Sequence, residues 1–108
     1  MFRAAHPGTV ERVRDIFLRT SGAVHAAACR ALGALDANNH LARVTAPALV
    51  VVGAEDYATP PAMSKTIVDG IPGSDLAVLP GARHMSLIEE PAVWGRLAAH
   101  FGQLARPR

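Results

Sequence analysis

The sequence has one cysteine, Cys29, so no internal disulfide can form, and the chain must be held together by packing, as is usual in a reducing compartment. Aromatic residues make up only 5% of it and charged residues 19%, and the arginines are scattered, so there is no basic stripe with interleaved aromatics of the kind that binds nucleic acid. No apolar run approaches the roughly 20 residues that a membrane-spanning helix needs. The stretch Met1–Asp15 has no apolar core long enough for a signal peptide. His6, His25, His40 and His100 lie in helical patterns or loops without metal-ligand spacing, so a metal site is not expected, and separately no cofactor is implied. These absences describe a soluble, cytoplasmic protein with no nucleic-acid or membrane partner. With 108 residues it is one small domain or part of a larger one, able to bury only a thin core.

What is present is organised around Ala48–Pro61, ALVVVGAEDYATPP. Ala48 to Gly53 are apolar or small, with three consecutive valines, the pattern of a strand covered on both faces in a parallel sheet. Gly53-Ala54-Glu55-Asp56 then places carboxylates just past the strand's carboxyl end, and Thr59-Pro60 reads as an N-cap with proline at the first helical position. The helix runs to Gly70, Ile71-Pro72-Gly73 forbids its continuation, and Leu76–Leu79 is a second short strand. Strand, helix, strand is a βαβ unit with parallel strands, so both strands end on one edge. That edge is where open α/β sheets bind ligands. The second strand leads through Pro80-Gly81-Ala82-Arg83 to His84. An aspartate and a histidine are thereby set beyond the ends of adjacent strands.

The flanking segments read as packing elements. Thr9 is placed to cap a helix of about Val10–Arg19 with an apolar stripe of Val10, Val13, Ile16 and Phe17. Ser21 is placed to cap a second helix, AVHAAACRAL, whose alanines permit close approach of a neighbour. In the polar connection Leu35–Thr45, Asp36 can cap a turn and Leu41 and Val44 anchor it to the core. After Glu90-Pro91 a last helix carries Trp94, Leu97, Ala98, Phe101 and Leu104 on one face and is expected to cover the sheet, with Trp94 in the core.

A carboxylate bonded to an imidazole fixes its tautomer and stabilises the imidazolium formed when the ring takes a proton. Taken singly, Asp56 also suits a turn or a helix dipole, and a loop histidine is more often a surface residue. The local strings tip the balance. The strand with G-x-x-D and T-P, Gly53 to Asp56 with Thr59-Pro60, and the P-G-x-x-H loop Pro80–His84 followed by Ser86 and Glu89-Glu90-Pro91, resemble the C-terminal part of the α/β-hydrolase superfamily. The resemblance is firmest over residues 41–104. Among subfamilies, AAACRAL with Asp36, the L-x-x-V-x-x-P before the strand and EDYATPPAMS after it look most like 3-oxoadipate enol-lactone hydrolases, although related esterases and cofactor-free haloperoxidases share the acid and histidine loops. The resemblance implies an α/β fold in which residues 1–42 match the end of the cap and residues 43–108 the last βαβα part of the core. It makes Asp56 the triad acid and His84 the general base in ester or lactone hydrolysis, with 3-oxoadipate enol-lactone, in aromatic-acid catabolism, as leading substrate. Glu55 occupies the variable position of G-x-x-D. Tyr57 and Met85 flank the pair and are candidates for a substrate pocket.

The sequence departs from the family at the nucleophile. The G-x-S-x-G elbow is absent from residues 1–108: Ser21, Ser64, Ser74 and Ser86 lie outside such a string, and Cys29, among alanines on a helix, reads as a buried, inert thiol. The oxyanion donors of the fold come from the residue after the nucleophile and from an earlier loop, so they are missing too. Losing a triad nucleophile costs on the order of 10⁶ in rate. The expectation is a C-terminal piece, inactive alone and completed by a separate N-terminal part or by self-association. The competing expectation is an inactive remnant or assembly module that associates through its open sheet edge. An intact small hydrolase using Ser86 or Cys29 ranks last.

Overall fold

In this computed structural model, which describes residues 6–104, the elements in chain order are α1 (Pro7–Arg19), α2 (Gly22–Ala34), a 3₁₀ helix (Asn38–Arg43), β1 (Leu49–Gly53), α3 (Pro61–Gly70), β2 (Asp75–Leu79), α4 (Ser86–Glu89) and α5 (Pro91–Leu104). The two strands pair in parallel, with Leu49 opposite Asp75 and Gly53 opposite Leu79, so the expected βαβ unit forms. Proline begins α3 and Gly70 ends it, the Ile71 N–H closing on the Ile67 and Val68 carbonyls. The Ser74 hydroxyl donates to the Val68 and Ile71 carbonyls, which satisfies acceptors the helix leaves open. α3 packs on both strands and on the 3₁₀ helix, where Leu41 lies against Gly70 so closely that a Cβ there would overlap its side chain.

Burial rises toward the carboxyl ends of both strands. Val52 and Leu79 are buried, as are Ile71 and the loop residue Ala82, and among them sit the polar side chains of Asp56, Ser64 and Ser86. Leu49 to Val51 are only half-buried, and Leu76 and Val78 are 37% and 44% exposed. The expectation that the first strand is covered on both faces is therefore corrected: only α3 packs extensively on both strands among the described residues. α5 was expected to cover the sheet, but its main contact is with the short helix α4, and Trp94 is half-buried there. The side chain of Leu104, the last member of its stripe, lies outside the described residues.

The chain divides into two units, the first ending at Asp36 and the second beginning at Ala37; the boundary read from the sequence at 42/43 runs through the 3₁₀ helix. In the first unit α1 begins at Pro7, earlier than Thr9 suggests, because proline fits the first helical position and has no N–H to leave unpaired there. Thr9 is thus within the helix. Ser21 caps α2 as expected, accepting from the Val24 N–H at 3.3 Å, and Phe17 meets the His25 ring edge-on at 5.0 Å. No residue of α1 or α2 is buried, and Cys29 is exposed, which corrects the reading of a buried thiol. The 3₁₀ helix takes Ala37, not Asp36, at its N-cap.

Candidate active site

The loops that follow the two strands are stitched together before any side chain meets. The Ala54 N–H donates to the Leu79 carbonyl at 2.9 Å and the Glu55 N–H to the Ala82 carbonyl at 2.9 Å, so the ladder continues past the strand ends. Gly53 makes this possible: a Cβ there would collide with the backbone of Ala82 and Arg83. Gly81 turns the second loop with φ at +73°, a conformation that costs other L-residues free energy. His84 is in this way brought over Asp56 although 28 positions separate them in sequence.

Asp56 is 5% exposed. Its Oδ1 accepts the N–H groups of Ala58 at 2.9 Å and Thr59 at 2.8 Å, a local turn of the kind aspartate makes with the backbone two and three residues on. Its Oδ2 accepts the Thr59 hydroxyl at 2.8 Å. Nδ1 of His84 lies 3.0 Å from Oδ2 and 3.2 Å from Oδ1, and 3.3 Å from the Thr59 hydroxyl oxygen. Burial alone raises the pKa of this carboxyl, but the bonds from the Thr59 N–H, His84, the Thr59 hydroxyl and the Ala58 N–H outweigh it, and hold the group well below the usual carboxylate range. With a carboxylate at Nδ1, neutral His84 carries its proton on that nitrogen. Every hydrogen bond of its ring among the described residues is made there, leaving Nε2 as the basic nitrogen.

The pair borders a cleft of about 360 Å³. Val51 and Val52 of β1, Leu87 and Ile88 of α4, and Trp94 of α5 give it apolar walls, with Ser64 and Ser86 adding hydroxyls. The Trp94 indole N–H donates to the Ser86 hydroxyl at 3.3 Å. A cleft with apolar walls and a carboxylate–imidazole pair at its edge is suited to a small organic molecule with a polar reacting group. Of the two pocket candidates read from the sequence, Met85 lines the cleft, whereas Tyr57 is 80% exposed and does not. Glu55 reaches Arg83 at 3.5 Å on the surface and takes no part in the pair. Thr59 does not cap α3, whose N-cap is Pro60; its hydroxyl serves Asp56 instead, since Pro60-Pro61 moves the helix start one residue on. The spacing D-x-x-T carries this contact in the sequence, but read as a helix cap it points the hydroxyl elsewhere. The described residues hold no cluster of three metal-ligating side chains, and no helix among them is long and apolar enough to cross a membrane.

No protein-family model matches the chain. It is 40% identical over 65 residues to a proline iminopeptidase of Levilactobacillus brevis, a match covering 56% of this chain and 21% of that protein. It is 34% identical over 85 residues to 3-oxoadipate enol-lactonase 2 of Acinetobacter baylyi, covering 79% of this chain and 32% of the relative. The crystal structure of the enol-lactonase from Burkholderia xenovorans LB400 superimposes with a TM-score of 0.89 at 27% identity, over 94% of this chain and 39% of that one. The chain thus spans about a third or less of the length of the curated relatives it matches. In sequence and in fold alike, it is similar to α/β hydrolases and enol-lactonases over part of their length, consistent with a C-terminal portion of such a protein.

Proposed function

We propose that this chain supplies the acid and the base of a Ser-His-Asp triad that hydrolyses a carboxylic ester or lactone. The observation that carries the reading is the 3.0 Å approach of His84 Nδ1 to the buried carboxylate of Asp56, at the edge of an apolar cleft. A serine from outside residues 1–108 attacks the carbonyl carbon and gives its hydroxyl proton to His84 Nε2. Asp56 steadies the imidazolium that results. Collapse of the tetrahedral adduct expels the alcohol or enol oxygen, which takes that proton, and His84 then removes a proton from the water that frees the acyl group. Oxyanion donors come with the serine. The 3-oxoadipate enol-lactonase relative supports 3-oxoadipate enol-lactone as the substrate; cytoplasmic aromatic-acid catabolism is the setting expected from the sequence.

The chain is mixed with an N-terminal α/β-hydrolase part that carries a G-x-S-x-G serine, and opening of the enol-lactone is followed. Turnover is expected in the mixture and not in the chain alone, and His84→Ala abolishes it. Turnover that survives His84→Ala overturns the assignment. The exposure of Leu76 and Val78 on a two-stranded sheet favours a second reading, an inactive module that associates through that sheet. A stable homodimer that neither turns over lactone nor reacts with a serine-directed phosphonate is its signature.

A further inference from the structure

One carboxylate outside the pair grips the histidine loop on both sides of His84. Glu89 Oε2 accepts the N–H of Arg83 at 2.9 Å, and its Oε1 accepts the N–H of Met85 at 3.1 Å. The two donors are the residues immediately before and after His84, so the carboxylate bridges the backbone across it. The bridge is possible because α4 begins directly after the loop: Met85 is its N-cap, and Glu89, on the first turn, reaches back to the N-cap N–H in the manner of a capping box. Neither amide has another acceptor within the loop, which is irregular and follows the turn at Gly81. Hydrogen bonds to a carboxylate are about twice as strong as neutral ones, and both oxygens are used, so the grip is directional.

We infer that Glu89 is a positioning residue for the proposed reaction: by holding the N–H groups of Arg83 and Met85 it sets where the His84 ring stands relative to Asp56. The role rests on the reading of His84 as the base. It adds a residue that acts through the backbone and not through the substrate. On this reading glutamine is a poor substitute for Glu89. An amide side chain keeps one acceptor oxygen but turns an NH₂ toward the second N–H, setting donor against donor.

The test uses the full chain labelled with ¹⁵N and does not depend on turnover, so a failure of the hydrolase reading leaves it intact. Amide exchange is measured at Arg83 and Met85, with the Glu55 amide, bonded to the Ala82 carbonyl, as internal reference. The ¹⁵N shifts of the His84 ring, recorded above the ordinary histidine titration range, report which nitrogen carries the proton. In the unmodified chain both amides are expected to be protected and the ring to be held as the Nδ1–H tautomer. In Glu89→Gln at least one of the two amides exchanges about tenfold faster or more, as loss of a bond to a charged group implies. The Nδ1–H share falls at the same time toward the mixture shown by free imidazole. Asp69→Asn, which removes the exposed ion pair with Lys65 on α3, moves neither reading. The inference is overturned if the two amides exchange at unstructured rates in the unmodified chain. That result needs no variant to fold. It is equally overturned if Glu89→Gln loosens the amides while the ring tautomer stays fixed, since Glu89 then holds the loop without positioning the base.

Discussion

Asp56 meets two opposed demands at once, being 5% exposed and yet charged. Its four hydrogen bonds, from the N–H groups of Ala58 and Thr59, the Thr59 hydroxyl and His84, resolve the conflict in favour of the carboxylate. The folded-state pKa is therefore depressed below its ordinary value of 3.8. A group with this sign adds stability that is fully present above the ordinary value, and that is lost as pH falls through and below it, because the unfolded chain takes up the proton first. Urea unfolding of the chain and of Asp56→Asn, followed from neutral pH downward, should give a gap in stability that closes as the pH is lowered through and below 3.8. A gap that persists unchanged into strong acid would show that the bonds do not favour the charged form. At this scale the sequence is partly legible. Asp56 and His84 can be read from G-x-x-D and P-G-x-x-H, whereas the Thr59 hydroxyl and the Glu89 carboxylate cannot, because D-x-x-T and H-x-x-x-x-E fix only separations along the chain. Which way those side chains turn depends on where α3 and α4 begin.

At the scale of elements, the site is built by two short strands whose following loops continue to hydrogen-bond beyond the last ladder pair. Gly53 is the point of closest approach, its Cα face lying against the Ala82 and Arg83 backbone. Gly53→Ala forces that backbone to move, and overpacking of this kind costs about 1–3 kcal/mol. Because the displaced segment leads directly into His84, the substitution is expected to lower the unfolding midpoint and, in the proposed complemented hydrolase, to lower kcat more than it raises KM. Unfolding curves and steady-state kinetics check the two effects separately. A variant of unchanged stability would mean that the histidine loop does not rest on β1. The short apolar runs, the prolines and the glycines announced the order β1, α3, β2, and the parallel pairing followed from it. The four-residue helix α4 was not foreseen. SLIE is too short to show a helical period, and its stability comes from what it touches, the Glu89 bridge and the bond from Trp94 to Ser86.

The whole molecule leaves more apolar surface open than its sheet pattern leads one to expect. Leu76 and Val78 alternate onto one face of β2 and are both exposed, on a sheet of two strands. A completing hydrolase part that covers this face would bury the 44% of Val78 that is still exposed, worth about 1 kcal/mol, and Val78→Lys replaces that gain with a charge to be desolvated. The variant is expected to weaken the association at least tenfold by sedimentation, with the β1–β2 pairing retained; an unchanged affinity places the contact elsewhere. By itself the sequence determined the βαβ order, the parallel strands and the residues at their carboxyl ends, because valine runs, helix-breaking Pro-Gly pairs and turn glycines act locally. It could not determine how far each strand is covered, whether Cys29 is enclosed, or that Trp94 would pair with Ser86 instead of entering a core. Those outcomes depend on which surfaces are present to pack against one another. Only the tertiary structure set Nδ1 of His84 3.0 Å from Asp56 and closed Glu89 around its loop, since a contact across 28 residues exists only once the two strands have paired.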